Sequence, residues 1–278
     1  MSLDRETLFQ LTATVRRFVE QRLIPLEPQE AEEDKIPESV LDEMRELGLF
    51  GLTIPCEYGG LGLNTHDECK VIMEMGRTSP AFRSMIGTNN GIGSQGIVIH
   101  GTEEQKRRFL PLLASGEVIG SFALTEPDSG SDAAALRTRA VKDGDDYLLT
   151  GTKRWITNAN IAGLFTVFAR TNAEEAGSKG VSAFLVDANS EGISLGLPYK
   201  KMGQQGAHVC DVIFEGCRVP QENIIGGPEM INLGFKTAMK TLDRGRIHIS
   251  ALSVGCARRL IELSVAFAKD RKQFGRPI

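Results

Sequence analysis

The chain of 278 residues carries one tryptophan, three tyrosines and four histidines, and no run approaches the ~18 apolar residues of a membrane-spanning helix. It has no excess of positive charge. Its 32 Lys and Arg against 36 Asp and Glu leave a formal net charge of -4, without the basic field that gathers nucleic-acid phosphates, so nucleic acid is excluded as the main partner. Five cysteines, Cys56, Cys69, Cys210, Cys217 and Cys256, form no C-x-x-C pair. Structural zinc and a disulfide framework therefore fall away, and reduced thiols are expected. The opening MSLDRETLFQ turns acidic and amphipathic at once, lacking both the apolar core of a signal peptide and the Arg-rich, acid-poor pattern of a transit peptide. A cytoplasmic protein is the expectation. What remains, 41% hydrophobic and 24% charged residues with 30 Gly, excludes disorder and collagen and suits one large domain or two to three smaller ones.

Common catalytic signatures are also missing. Gly91, Gly93 and Gly96 spell G-x-G-x-x-G, but no strand precedes them and no βαβ unit surrounds them, so dinucleotide binding is rejected in favour of close helix packing. His66, His100, His208 and His248 lie far apart with no H-E-x-x-H spacing, and no G-x-S-x-G elbow occurs. Structural roles are expected for all four histidines, and no metal is expected.

The pattern that is present is helix, strand, helix. Over residues 1–118, Leu8, Leu11, Val15, Phe18 and Val19 follow a period near 3.6, which Pro25 and Pro28 are expected to stop. A second helix opens at Pro37, with Gly48 just after its end, and capping boxes are expected at Thr65 with Glu68 and at Thr102 with Gln105. Over 119–226, short segments rich in Val, Ile, Phe and Thr alternate with turn signals, including a hairpin at Asp143-Gly144, and read as a β-barrel. From 227 to 278 one long helical pattern runs from Phe235 to Phe267. It cannot bury its apolar face alone, so either another chain supplies its partners or the bundle is incomplete.

Phe122 to Ala135, FALTEPDSGSDAAA, leaves a strand into a loop of hydroxyls and glycine, a composition suited to hydrogen-bonding a polar ring edge or a phosphate. Trp155 beside Thr157 could stack on a flat cofactor. Taken alone, a single tryptophan is more often a core residue.

These residues carry a resemblance. Thr125-Glu126-Pro127, Ser129-Gly130-Ser131-Asp132 and Gly151-x-Lys153-x-Trp155-Ile156-Thr157-Asn158 resemble the acyl-CoA dehydrogenase family. Further matches follow in order: Pro55-x-Glu57-Tyr58-Gly59-Gly60, His100-Gly101-Thr102-Glu103-Glu104-Gln105, Lys201-Met202-Gly203, Arg218-Val219-Pro220, Asp243-Arg244-Gly245-Arg246 and Arg271-Lys272-Gln273-Phe274-Gly275. The resemblance spans essentially the whole chain.

It implies an N-terminal helical domain, a middle β-barrel and the start of a C-terminal helical bundle, binding FAD and desaturating acyl-CoA thioesters. Electrons would pass to an electron-transferring flavoprotein, and a homotetramer or homodimer is implied. By motif matching, Phe122, Leu124, Thr125, Gly130, Ser131, Trp155, Ile156 and Thr157 would meet the flavin, Ser131, Asp243 and Arg246 the acyl-CoA, and Arg271, Gln273 and Phe274 the FAD of a neighbouring subunit. Three departures stand out. Phe122 replaces a frequent Tyr, and Gln204-Gln205-Gly206-Ala207 replaces a stretch often carrying Arg and Ser, which is expected to loosen local contacts to the barrel. No catalytic residue is assigned, because Gly245 occupies one family position for the base and the usual glutamate is expected beyond Ile278. A catalytically incomplete flavin or acyl-CoA-binding module, and an acyl-CoA oxidase, remain alternatives.

Overall fold

The computed structural model describes residues 3–278. Its first part is helical: α1 (Arg5–Phe18), α2 (Ile24–Glu33), α3 (Glu38–Glu46), α4 (Thr65–Met75), α5 (Pro80–Asn90), α6 (Gln95–His100) and α7 (Glu103–Ser115). Val15, Leu23, Val40, Met44, Val71, Phe82 and Ile86 meet in one core, as apolar residues spaced three and four apart require.

Two local expectations are corrected. Pro25 and Pro28 do not end the first helix, because one wide turn at Val19–Leu23 carries the chain from α1 into α2, which continues to Glu33. Pro25 falls in the first turn of α2, where its missing N–H would have had no partner anyway. Pro28 is exposed, so water can take the carbonyl that it leaves free. The cap of α4 is Asn64 rather than Thr65. Its Oδ1 accepts from the Asp67 amide at 2.9 Å and its side-chain amide donates to the Asp67 carboxylate at 2.9 Å, which releases Glu68 to turn inward. The Thr102–Gln105 capping box is present.

Seven strands follow: β1 (Gly120–Ala123), β2 (Arg139–Asp143), β3 (Asp146–Thr157), β4 (Leu164–Arg170), β5 (Val181–Asp187), β6 (Ile193–Leu195) and β7 (Val209–Pro220). The sheet runs β1-β4-β2-β3-β7-β6, with β5 on the other edge of β4, and curls into a half-barrel. The hairpin between β2 and β3 turns through Gly144 at φ +63°, and Arg218 clasps both its flanks, Asp143 at 2.6 Å and Asp146 at 3.0 Å. The Gln204–Ala207 stretch is held by bonds within its own loop and to the helical domain. The Gly206 amide donates to Asp34 at 2.6 Å, and Lys201 donates to the carbonyls of Gln204 and Ala207.

The chain then enters α8 (Gly234–Asp270) and ends in a small hairpin, β8 (Lys272–Gln273) and β9 (Arg276–Pro277). The first half of α8 is seated on the body, burying Ala238, Thr241, His248, Ala251 and Leu252. It crosses α4 at Gly76 and Gly255, where a Cβ on either residue would collide with the backbone of the other helix. Beyond Gly255 the side chains of Leu260, Ile261, Leu263 and Phe267 are exposed, as a lone amphipathic helix must leave them.

Candidate active site

The loop after β1 is held by a buried ion pair. Glu126 accepts from Lys153 Nζ at 2.7 Å and from the amides of Arg137 and Thr138 at 2.6 and 2.9 Å, and Lys153 also donates to the Leu124 carbonyl at 3.2 Å. Burial works to raise the Glu126 carboxyl, but the Lys153 charge and these donors hold it below the usual carboxylate range. Burial wins at the other partner. The Lys153 ammonium is pushed down to about 8 even with Glu126 beside it. With Glu126 so engaged, its backbone closes a tight turn onto Ser129 at 2.8 Å, and the Thr125 carbonyl takes the Arg154 amide at 2.8 Å.

Lys153 reaches this position because β3 bulges. Strict alternation would put Lys153 and Ile156 on opposite faces. A register shift against β7 between these two residues lets both point inward and leaves Trp155 at φ +58° with 59% of its surface exposed. A positive φ is a strained setting for a bulky aromatic residue.

Phe122, Leu124, Thr125, Gly130, Ser131, Trp155, Ile156 and Thr157 line one cleft of about 530 Å³, whose far wall is Phe235, Met239, Leu242 and Arg246 of α8. The remaining sequence candidates lie elsewhere. Asp243 does not line the cleft; it is exposed and pairs with Arg246 at 2.5 Å. Arg271, Gln273 and Phe274 sit in the exposed hairpin beyond α8, separated from Arg246 by helix about 36 Å long. They take no part in this chain's own cleft.

A second cavity of about 610 Å³ continues the cleft between α5 and α8, sharing Thr88, Ile92, Thr157, Leu242 and Arg246 with it. On its wall, Arg83 Nε donates to His248 Nε2 at 2.8 Å, and His248 Nδ1 meets Glu68 at 2.7 Å. Accepting at Nε2 makes Nδ1–H the donor to Glu68 and the ring neutral. Burial, only partly opposed by Glu68, holds the His248 pKa below the ordinary imidazole value, and burial pushes Arg83 down to about 10. Sequence reasoning passed over this group. His248 had no spacing to mark it, and Arg83 lies 165 residues away from it.

Family models for acyl-CoA dehydrogenase domains match in order: the N-terminal domain over residues 5–117, the middle domain over 121–217 and the C-terminal domain over 232–278. A Mycobacterium leprae protein described as a probable acyl-CoA dehydrogenase is 40% identical over 269 residues, 97% of this chain and 68% of that protein. The butyryl-CoA dehydrogenase structure from Megasphaera elsdenii superposes with a TM-score of 0.93 at 31% identity, covering 100% of this chain and 72% of that one. An acyl-CoA dehydrogenase from Bacillus anthracis, crystallised with FAD, superposes with a TM-score of 0.89 at 35% identity, covering 100% of this chain and 47% of that one. With three domain models in register on this half-barrel and its flanking helices, the chain belongs to the acyl-CoA dehydrogenase family.

Proposed function

We propose that this chain binds FAD in the cleft between the β1 loop, the β3 bulge and α8, and desaturates an acyl-CoA thioester between Cα and Cβ. The observation that carries the reading is Trp155: a large flat ring, exposed at a strained backbone position on the wall of a cleft that also presents the Thr125 and Thr157 hydroxyls. The residues fit the group. An indole left uncovered calls for a flat partner, the two hydroxyls suit the polar edge of such a ring, and Gly130 and Ser131 leave an accessible loop for a phosphate. When bound, FAD supplies the acceptor for the hydride leaving Cβ.

The protein's own contributions follow from position. Thr125 and Thr157 would orient the ring edge, and Phe122 and Leu124 would keep water from the reacting carbons. Arg246 of α8 would meet the thioester end of the substrate, with exposed Asp243 holding its guanidinium. Proton removal from Cα needs a carboxylate, and none is assigned: Asp132, the acidic residue along the cleft, is exposed, and Gly245 offers no side chain. Arg271, Gln273 and Phe274 would reach the FAD of a second subunit in a homo-oligomer, and an electron-transferring flavoprotein would reoxidise the ring. No helix among the described residues is long and apolar enough to cross a membrane.

The test is the visible spectrum of purified protein before and after anaerobic addition of an acyl-CoA. A flavin band that bleaches supports the reading. Protein that takes up no flavin when loaded with FAD overturns it.

A further inference from the structure

Arg170 ends β4, and the five N–H donors of its guanidinium go to five backbone carbonyls. Nε donates to Leu136 at 3.3 Å, Nη1 to Glu175 and Lys179 at 2.8 and 3.0 Å, and Nη2 to Ala134 and Gly177 at 2.9 and 3.1 Å. None of these acceptors is a carboxylate. The guanidinium is a rigid planar fork with no acceptor of its own, so here every donor is used to hold backbone.

The five carbonyls belong to two segments. Ala134 and Leu136 lie in the turn that continues the cleft loop, and Ala133 and Ala134 line the cleft beside Gly130 and Ser131. Glu175, Gly177 and Lys179 lie in the exposed connection between β4 and β5. The Leu136–Arg137 peptide is gripped from both sides: Arg170 holds its carbonyl, and Glu126 holds its N–H at 2.6 Å. Thr138 repeats the arrangement, its carbonyl taking the Arg170 amide at 2.7 Å and its own amide reaching Glu126 at 2.9 Å. The buried Glu126–Lys153 pair thus fixes this wall from within, and Arg170 fixes it from outside. Because one rigid group carries both segments, displacing either of them breaks bonds to the other.

We propose that Arg170 is a positioning residue for the FAD cleft: it couples the exposed loop 172–180 to the wall at 133–136, so that loop and cofactor stabilise each other. The inference rests on the FAD reading above and adds to it a control point outside the cleft. Reciprocity follows from linkage, since whatever the loop does for cofactor binding the cofactor must do for the loop.

The carbonyl of the Lys179–Gly180 bond is one that Arg170 holds, so trypsin cleavage there reads release of the loop. In the unmutated full-length protein, saturating FAD is expected to slow that cleavage at least threefold. Arg170→Gln should speed it at least fivefold in FAD-free protein, abolish the protection by FAD, and weaken FAD binding at least fivefold well below the melting temperature. A merely structural role would lower the melting temperature and leave the affinity of folded protein for FAD unchanged. Arg170→Lys keeps the charge but brings only three donors and should recover less than half of the lost affinity; full recovery would show that charge alone suffices and overturn the fork. FAD that binds unmutated protein without slowing cleavage after Lys179 overturns the coupling, and that comparison needs no variant. Unchanged FAD affinity or undiminished protection in Arg170→Gln also overturns it. Folded protein that binds no FAD overturns the FAD reading itself, and the coupling with it.

Discussion

Lys153 Nζ and Glu126 Oε1 lie 2.7 Å apart in the half-barrel, the lysine side chain fully buried and the glutamate 6% exposed. Between them they hold the carbonyl of Leu124 and the amides of Arg137 and Thr138, so both ends of the cleft loop are tied to one buried charge pair. Lys153→Met removes one partner and strands the other charge, at a cost of about 3–5 kcal/mol. The double variant Lys153→Met/Glu126→Gln should be less destabilised than the sum of the two single changes. Urea midpoints check both statements, and strict additivity would mean that the residues act independently.

Acid should weaken the fold before ordinary carboxylates titrate. Burial, only partly opposed by Glu68, holds the folded-state pKa of His248 below its ordinary 6.5. Between the folded and unfolded values the unfolded chain binds more protons, so stability is fully present above about pH 6.5 and falls as the pH drops from there. Glu126, held below the carboxylate range in the fold, adds a second loss at lower pH, again because the unfolded chain takes up the proton first. Denaturation midpoints measured from pH 7.5 to 4.5 should fall from near pH 6.5 onward. In His248→Gln the first part of that decline should flatten; an unchanged slope would show that this histidine does not drive it.

The crossing of α4 and α8 depends on two missing side chains. A Cβ at Gly255 would strike the Met73 carbonyl, and one at Gly76 would strike that of Leu252; both obstacles are backbone, which cannot rotate away. Gly255→Ala should therefore destabilise by about 1–3 kcal/mol despite its better helix propensity. Gly203→Ala provides the control, because nothing lies within 4 Å of a Cβ there and its φ is not positive. Thermal unfolding of the two variants gives the comparison.

The order of helical, strand and helical segments was legible because hydrophobic period is local: Val40, Leu41 and Met44 mark a face within one helix, and Asp143-Gly144 marks a turn within four residues. The cleft lining was legible for a related reason, since residues 122–131 and 155–157 form two compact motifs that the sheet brings side by side. What escaped depends on partners distant in sequence. The helix survives Pro25 because a wide turn adjusts it, the bulge at Trp155 exists because β7 sets the opposing register, and Arg83 meets His248 only when α8 lies across α5.

Trp155 separates a structural from a functional reading most directly. With 59% of its surface exposed and φ at +58°, the side chain contributes little burial and sits in a backbone region that glycine occupies at no steric cost. If the residue served the fold, Trp155→Gly would lower the melting temperature as loss of a buried aromatic does. In the flavin-free protein the melting temperature should instead stay level or rise, because strain at this position is relieved. FAD titration should show weaker binding, by about tenfold if one stacked ring contributes about 1–1.5 kcal/mol. Thr125→Ala should weaken it separately through loss of a hydrogen bond, with Trp155 still in place. A Trp155→Gly protein that melts several degrees lower and binds FAD unchanged would assign the ring to the fold and remove it from the site.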